Sequence, residues 1–267
     1  MGMNGVAMAM NGRIRYQVVD SHRNLSARRA WALAMFFAEV KGLAAEETEQ
    51  QVRFCDWYEK EHAVKWFEVV ATEGGEVVGY LRCLRNPEDP TEWFIGDVHV
   101  RKANRRQGIA EKMYEKVVSE VSAYEAAERL IASVHPCNSA SIRLHKKCGF
   151  ADTGKPCDFP TFFFDPRETA FVRTVYRNFP VPDAPEAVER MLPLWMEMAK
   201  EKATGNTEGK KKVGEKHPDE VAQRRKLERV IKDAASGKCV FEAIWCGNRL
   251  VGFHYEDGAS NIEYLQK

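Results

Sequence analysis

Apolar positions along the chain follow two rhythms. Stretches 14–19, 66–72, 77–85 and 92–100 are short, rich in β-branched and aromatic residues and bounded by turn formers, which predicts strands. Glu73-Gly74-Gly75-Glu76 predicts a tight hairpin between the second and third of them. Stretch 26–40 predicts a helix capped by Ser26, with Trp31, Ala34, Met35 and Ala38 facing inward. Stretch 46–62 predicts a second helix, acidic at its start, with Val52, Cys55 and Tyr58 toward the core. The strongest helical period lies in 108–124. There Ile109, Met113, Val117 and Val121 recur every four residues, with Ala110, Tyr114 and Val118 beside them. Residues 130–134 read as a short buried strand that Pro136 stops. Asn138 then caps a helix to about Lys147, and Gly149 closes it. Two segments, 161–164 and 170–176, compete for the last strand. The predicted order is β-α-α-β-β-β-α-β-α-β.

The prolines of the run NFPVPDAP, residues 178–185, mark a boundary and divide the chain into domains 1–178 and 179–267. Beyond it, 186–202 and 219–235 read as helices, separated by a Gly- and Lys-rich loop at 204–217 that is expected to be mobile. Residues 240–246 and 250–255 read as a hairpin about Gly247-Asn248. This hairpin reads as a repeat of the earlier one or as the likeness any two β-hairpins share: Phe67-Glu68-Val69-Val70 and Val77-Val78-Gly79-Tyr80 line up with Phe241-Glu242-Ala243-Ile244 and Leu250-Val251-Gly252-Phe253. Each copy follows two helices and precedes an apolar segment. Half a sheet exposes an edge, so the tail is expected to pack on the first domain or on a second subunit, the latter making a homodimer.

Composition narrows the class without naming it. Of 267 residues, 44% are hydrophobic and 30% charged, an ordinary globular balance, and the formal net charge is +1. No global field recruits nucleic acid or a membrane surface, and no apolar run reaches the roughly 20 residues that span a bilayer. The basic runs Lys210-Lys211-Lys212 and Arg224-Arg225-Lys226 are short and lack interleaved aromatics. No nucleic-acid partner and no membrane partner is therefore expected. The first residues lack the basic and apolar regions of a signal peptide and read as a frayed terminus. Seven cysteines, an odd number with no C-x-x-C pair, argue against a disulfide framework or thiolate metal site, so no metal and a cytoplasmic location are expected.

Candidate chemistry concentrates where the strand ending at Val100 feeds Arg105-Arg106-Gln107-Gly108-Ile109-Ala110 and the strongest helix. Unpaired N–H groups at a helix start, the helix dipole and a glycine that lets the backbone approach closely make a phosphate-binding turn. Arg105 and Arg106 read either as charge that forks to phosphate oxygens or as a solvated surface pair, and Gly108 reads otherwise as an ordinary turn glycine. Arg105-x-x-Gly108-x-Ala110 resembles the pyrophosphate motif Q/R-x-x-G-x-G/A of the GNAT acyl-CoA N-acyltransferases. Residues 138–150, N-S-A-S-I-R-L-H-K-K-C-G-F, are similar to that family's N-x-x-A/S-x-x-L-Y-x-K-x-G-F pattern. The resemblance covers roughly 13–176, and the tail resembles only a front half of such a domain. It implies an α+β fold with a mixed, mostly antiparallel, splayed sheet flanked by helices, and a smaller C-terminal α+β domain.

The resemblance also implies a function. It is that of an N-acetyltransferase moving the acetyl group of acetyl-CoA to a primary amine by direct attack in a ternary complex. The alternative is a non-catalytic acyl-CoA-binding or interaction protein. The cosubstrate would lie on Val98, His99 and Val100, on Arg105, Arg106, Gln107, Gly108, Ile109 and Ala110, and on Asn138, which also caps its helix. The three strand residues would act through their backbone, and the His99 side chain reads as a packing or surface histidine rather than a catalyst. His145 stands where many members carry the tyrosine that protonates the departing thiolate. It is expected either to act as that general acid or to be a packing substitution. Asp97 is expected to deprotonate the amine through water, to hold a cationic substrate, or to serve as a structural carboxylate. Glu92 shares its strand. Tyr80 and Trp93 read as pocket-lining or core aromatics, and Cys137 and Cys148 as incidental thiols. The acceptor, a small-molecule or peptide amine, is not specified by these residues.

Overall fold

The protein is described by a computed structural model over residues 13–20, 26–61, 65–160, 162, 164–204 and 218–266. The expected mobile loop lies outside these residues except for Thr204, and the expected frayed terminus except for Arg13. The chain divides into two compact units, Met1–Val175 and Tyr176–Lys267.

The first unit is built from β1 (Arg15–Asp20), α1 (Ala27–Lys41), α2 (Ala45–Glu61), β2 (Trp66–Glu73), β3 (Glu76–Arg85), β4 (Glu92–Val100), α3 (Ile109–Val121), β5 (Arg129–Val134), α4 (Ser139–Lys147), β6 (Ala151–Pro156) and β7 (Thr169–Thr174). Its sheet runs β1-β2-β3-β4-β5-β7-β6. Every neighbouring pair is antiparallel except β4 with β5. That parallel ladder is short, from Glu92↔Arg129 to Ile95↔Ala132. Beyond Ile95 the two strands part, so residues 96–100 carry an open edge. On the β3 side of β4, Leu81 pairs with Val98 and Arg82 with Gly96, which leaves Asp97 as the extra residue of a bulge.

Two apolar layers hold this sheet. In one, Ile109, Met113, Tyr114, Val117 and Val121 of α3 pack on Val69, Leu81, Trp93, Ile95 and Leu130, with α4 joining through Ile142 and Leu144. In the other, Leu33, Phe36 and Phe37 of α1 cover Val70, Val77 and Tyr80. Here the expected face of the first helix is corrected. Ala30, Leu33, Ala34, Phe36 and Phe37 are buried, whereas Trp31 is 41% and Met35 47% exposed. The leucine and two phenylalanines bring more apolar area out of water than the predicted stripe, and the helix turns to bury them. The end of the unit differs too. The segment 170–176 supplies the strand β7, and 161–164 is no strand among its described residues. β6 is an added edge strand, exposed along its whole length and so without an apolar signature.

The second unit comprises β8 (Arg177–Pro180), α5 (Pro185–Thr204), α6 (Glu220–Ala235), β9 (Val240–Cys246), β10 (Arg249–Glu256) and β11 (Asn261–Leu265), with sheet order β11-β10-β9-β8, all antiparallel. Leu192, Trp195, Leu227, Ile231, Phe241 and Phe253 form its core. Element order and strand pairing repeat those of β1 to β4 with α1 and α2. Even an irregularity recurs. Val78 is the extra residue between Ala71↔Gly79 and Thr72↔Val77, and Val251 that between Leu250↔Trp245 and Gly252↔Ile244.

Candidate active site

A cleft of about 540 Å³ opens where β4 leaves β5. Val98, His99 and Val100 line it from the strand, Asn104, Arg105, Arg106 and Gly108 from the turn, and Ile109, Ala110 and Glu111 from α3. Asn138, Ala140, Ser141 and Leu144 line it from the start of α4. Among the cosubstrate residues expected from the sequence, Gln107 alone is not part of this lining.

The turn is shaped by two left-handed residues, Arg106 at φ 65° and Gly108 at φ 75°. An added Cβ at Gly108 would meet nothing within 4 Å, so glycine is required there by its dihedral and not by crowding. The first intrahelical bond of α3 is Lys112 N–H to the Gly108 carbonyl, 3.0 Å. The N–H groups of the preceding residues therefore lie ahead of the ladder, at the positive end of the helix. Arg105 Nε donates to the Val100 carbonyl at 3.0 Å and ties the turn to the strand end. Glu111 in the first turn is balanced by Lys147, 2.7 Å away.

One residue outside the motif sets this geometry. At Gly79 on β3 a Cβ would stand 3.0 Å from Ile109 Cγ2 and 3.2 Å from the Met113 sulfur. The missing side chain lets α3 sit close on the sheet and fixes the height of the phosphate turn. The only sequence signal was a glycine inside a strand, which marks a close backbone approach.

Asn138 caps α4 as expected, its Oδ1 accepting from Ser141 N–H at 3.1 Å. His145 shares that helix but does not line the cleft, and it is buried at 4% exposure. Its Nδ1 lies 2.8 Å from the Ser141 carbonyl and its Nε2 2.7 Å from the Tyr114 hydroxyl. A carbonyl only accepts, so Nδ1 carries the proton and Nε2 accepts from the tyrosine. Phe150 and Phe171 close around the ring. Burial lowers the histidine's pKa against the opposing pull of the Ser141 bond. A neutral, enclosed imidazole with both nitrogens engaged gives the expected general-acid role no support.

Asp97 is different. Its side chain is 41% exposed, with the Lys41 ammonium at 3.8 Å and His99 Nε2 at 3.6 Å. Desolvation would raise its pKa, but the His99 bond and the charges of Arg82 and Lys41 outweigh it and bring it to about 2. The carboxylate is therefore ionised and a poor proton acceptor at neutral pH. Behind it runs a polar chain: Arg82 Nε donates to the Tyr80 hydroxyl at 3.0 Å, which donates to Glu68 at 2.8 Å, where Arg29 also binds at 2.8 Å. Burial holds the Tyr80 phenol well above its usual pKa, so it stays protonated. Trp93 is fully buried against Phe67 and Tyr124. Glu92 is taken up by Arg129 and Asn86. Cys148 is buried and its pKa is pushed up to about 11, and Cys137 is exposed. Among the described residues no acidic, histidine or cysteine cluster could hold a metal, and no helix is long and apolar enough to cross a membrane.

The cleft thus sets a turn at the start of a helix beside an open strand edge. Residues 25–150 match the model of the Acetyltransferase (GNAT) family, so the chain carries a GNAT-family domain over those residues. Solved structures similar to this chain include the enzyme from Salmonella typhimurium that modifies the N-terminal serine of ribosomal protein L7/L12. It is 15% identical over 60% of this chain and 99% of that one, with a TM-score of 0.47. Another is the diaminobutyrate acetyltransferase EctA from Paenibacillus lautus, solved with L-2,4-diaminobutyric acid and coenzyme A. It is 20% identical over 61% of this chain and 96% of that one, with a TM-score of 0.44. A third is an acetyltransferase from Thermus thermophilus, 15% identical over 60% and 96%, with a TM-score of 0.45. Among curated proteins nothing matches.

Proposed function

We propose that the first unit transfers the acetyl group of acetyl-CoA to a primary amine, with both substrates bound at once and the amine attacking directly. The observation that carries this reading is the shared cleft. One space joins a helix N-terminus, suited to a diphosphate, to a strand edge able to pair with an amide-bearing arm. The donor set suits an anion. N–H groups at the start of α3 would face the diphosphate, and Arg106 would add charge. Arg105, anchored on Val100, would act mainly by holding the turn in place. Val98, His99 and Val100 would pair with the arm, and Asn138 would close the cleft from α4. When bound, acetyl-CoA supplies the activated carbonyl. An N–H of the open edge near His99 or Val100 would donate to its oxygen.

Asp97 holds the incoming ammonium and does not take its proton. With a pKa of about 2 the carboxylate stays charged, and the proton leaves to water beside the exposed Asp97 carboxylate. His145 positions α4 through Tyr114, and the departing thiolate takes its proton from water. Calorimetry with acetyl-CoA, followed by a thiol-release assay against a panel of amines, tests this. Saturable binding with turnover is expected, and no saturable binding overturns it. Tight binding with no turnover would favour an acyl-CoA-binding module, a reading the enclosure of His145 keeps in view.

A further inference from the structure

We propose that Lys41 occupies the place of the acceptor's ammonium, so that the resting protein fills its own acceptor site with one of its side chains. This rests on the acyltransferase reading above and identifies the acceptor's recognised group as an alkylammonium. Lys41 is the last residue of α1, one helical turn after Phe37, so the two side chains share a face. Phe37 is fixed edge-on to Tyr80 and to His99. That packing delivers the lysine to the bulge of β4. The ammonium lies 5.0 Å from the centre of the Phe37 ring and 3.8 Å from Asp97 Oδ1. A carboxylate on one side and an aromatic ring on the other is the chemistry that recognises an alkylammonium. The position borders the cleft, because Asp97 precedes the lining residue Val98 and contacts the lining residue His99.

The lysine is held loosely. Both members of its ion pair are about two-fifths exposed. The neighbouring Arg29–Glu68 pair closes to 2.8 Å with Glu68 only 6% exposed. Nor does α1 depend on Lys41 for its seat. Arg101, following β4, pairs with Glu39 of α1 at 3.0 Å and with Glu76 of β3 at 2.7 Å. Lys41 can therefore swing away without moving the helix. An exposed ion pair and one cation–π contact each contribute little, so displacing the lysine lowers acceptor affinity by about 3- to 10-fold.

The test uses the full chain and n-propylammonium as probe, followed by NMR titration of the wild type, Lys41→Gln, Lys41→Arg, and the double variant Lys41→Gln with Asp97→Asn. Lys41→Gln is expected to bind the probe about 3- to 10-fold more tightly. Lys41→Arg, which keeps a cation over the ring, should match the wild type, and the double variant should lose the gain. Equal binding by wild type and Lys41→Gln, a gain that survives loss of the Asp97 charge, or no saturable binding by either protein overturns the proposal. Thiol release from acetyl-CoA is measured on the same samples. Probe binding that obeys these expectations with no turnover would sink the transferase reading and leave the cation site standing.

Discussion

The Tyr114 hydroxyl and His145 Nε2 meet at 2.7 Å inside the core, joining α3 to α4. Each helix carries one wall of the cleft, so this bond sets the gap between the phosphate turn and the Asn138 cap. Replacing His145 with Phe leaves the tyrosine hydroxyl buried without a partner and should cost about 1–3 kcal/mol of stability. Adding Tyr114→Phe should recover most of it. Turnover at saturating substrate should stay near wild type. A loss of about 10²- to 10⁴-fold, as when a general acid is removed, would restore the catalytic role to His145.

The same histidine predicts a pH response. Its folded pKa lies below the ordinary value of 6.5, so the unfolded chain takes up a proton that the native ring refuses. Stability is therefore full above 6.5 and falls as the pH drops below it. Asp97 adds a separate effect at lower pH: its contribution is present above 3.8 and is lost as the pH falls toward 2. Thermal melts between about pH 7.5 and 5, run on wild type and His145→Phe, should show a steeper acid decline in the wild type.

Gly79→Ala should disturb the cleft from a distance. The new methyl meets Ile109, Met113 and Ala71 at 3.0–3.2 Å, so α3 must shift off the sheet. Overpacking of this kind costs about 1–3 kcal/mol. Because Ile109 opens α3, acetyl-CoA affinity should fall as well. Unchanged calorimetry would show that the turn height does not matter.

Two turn substitutions should act in opposite senses on stability. Gly108→Ala keeps open space around the new methyl but forces a side chain into the left-handed region, costing about 1–2 kcal/mol. Arg106→Gly relieves the same strain and should raise the melting temperature while weakening acetyl-CoA binding through lost charge. Melts and calorimetry on both variants check the pair.

Local signals in the sequence reached far. Gly108, the four-residue stripe of α3, the Asn138 cap and the Gly74-Gly75 hairpin are set by dihedrals and periodicity that a reader of the chain can see. What stayed hidden depends on contacts between distant segments. Asn138 and His145 are two turns apart on one helix, which suggested a shared opening. The tyrosine across from His145 instead draws it inward. β6 has no apolar alternation because it is an exposed edge. The Phe37–Lys41–Asp97 grouping joins α1 to a bulge in β4, and no spacing along the chain predicts it.

The early end of the β4–β5 ladder also has a dynamic meaning. Amides on the open edge of residues 96–100 lack a strand partner there and should exchange with solvent through small local openings. An arm pairing along that edge would act as a temporary strand. Hydrogen exchange across this segment should then slow on adding acetyl-CoA, while the β2–β3 hairpin, already paired on both sides, keeps its rate. The fork in the sheet is in this sense an unfinished row of its hydrogen-bond lattice, completed each time the arm is seated.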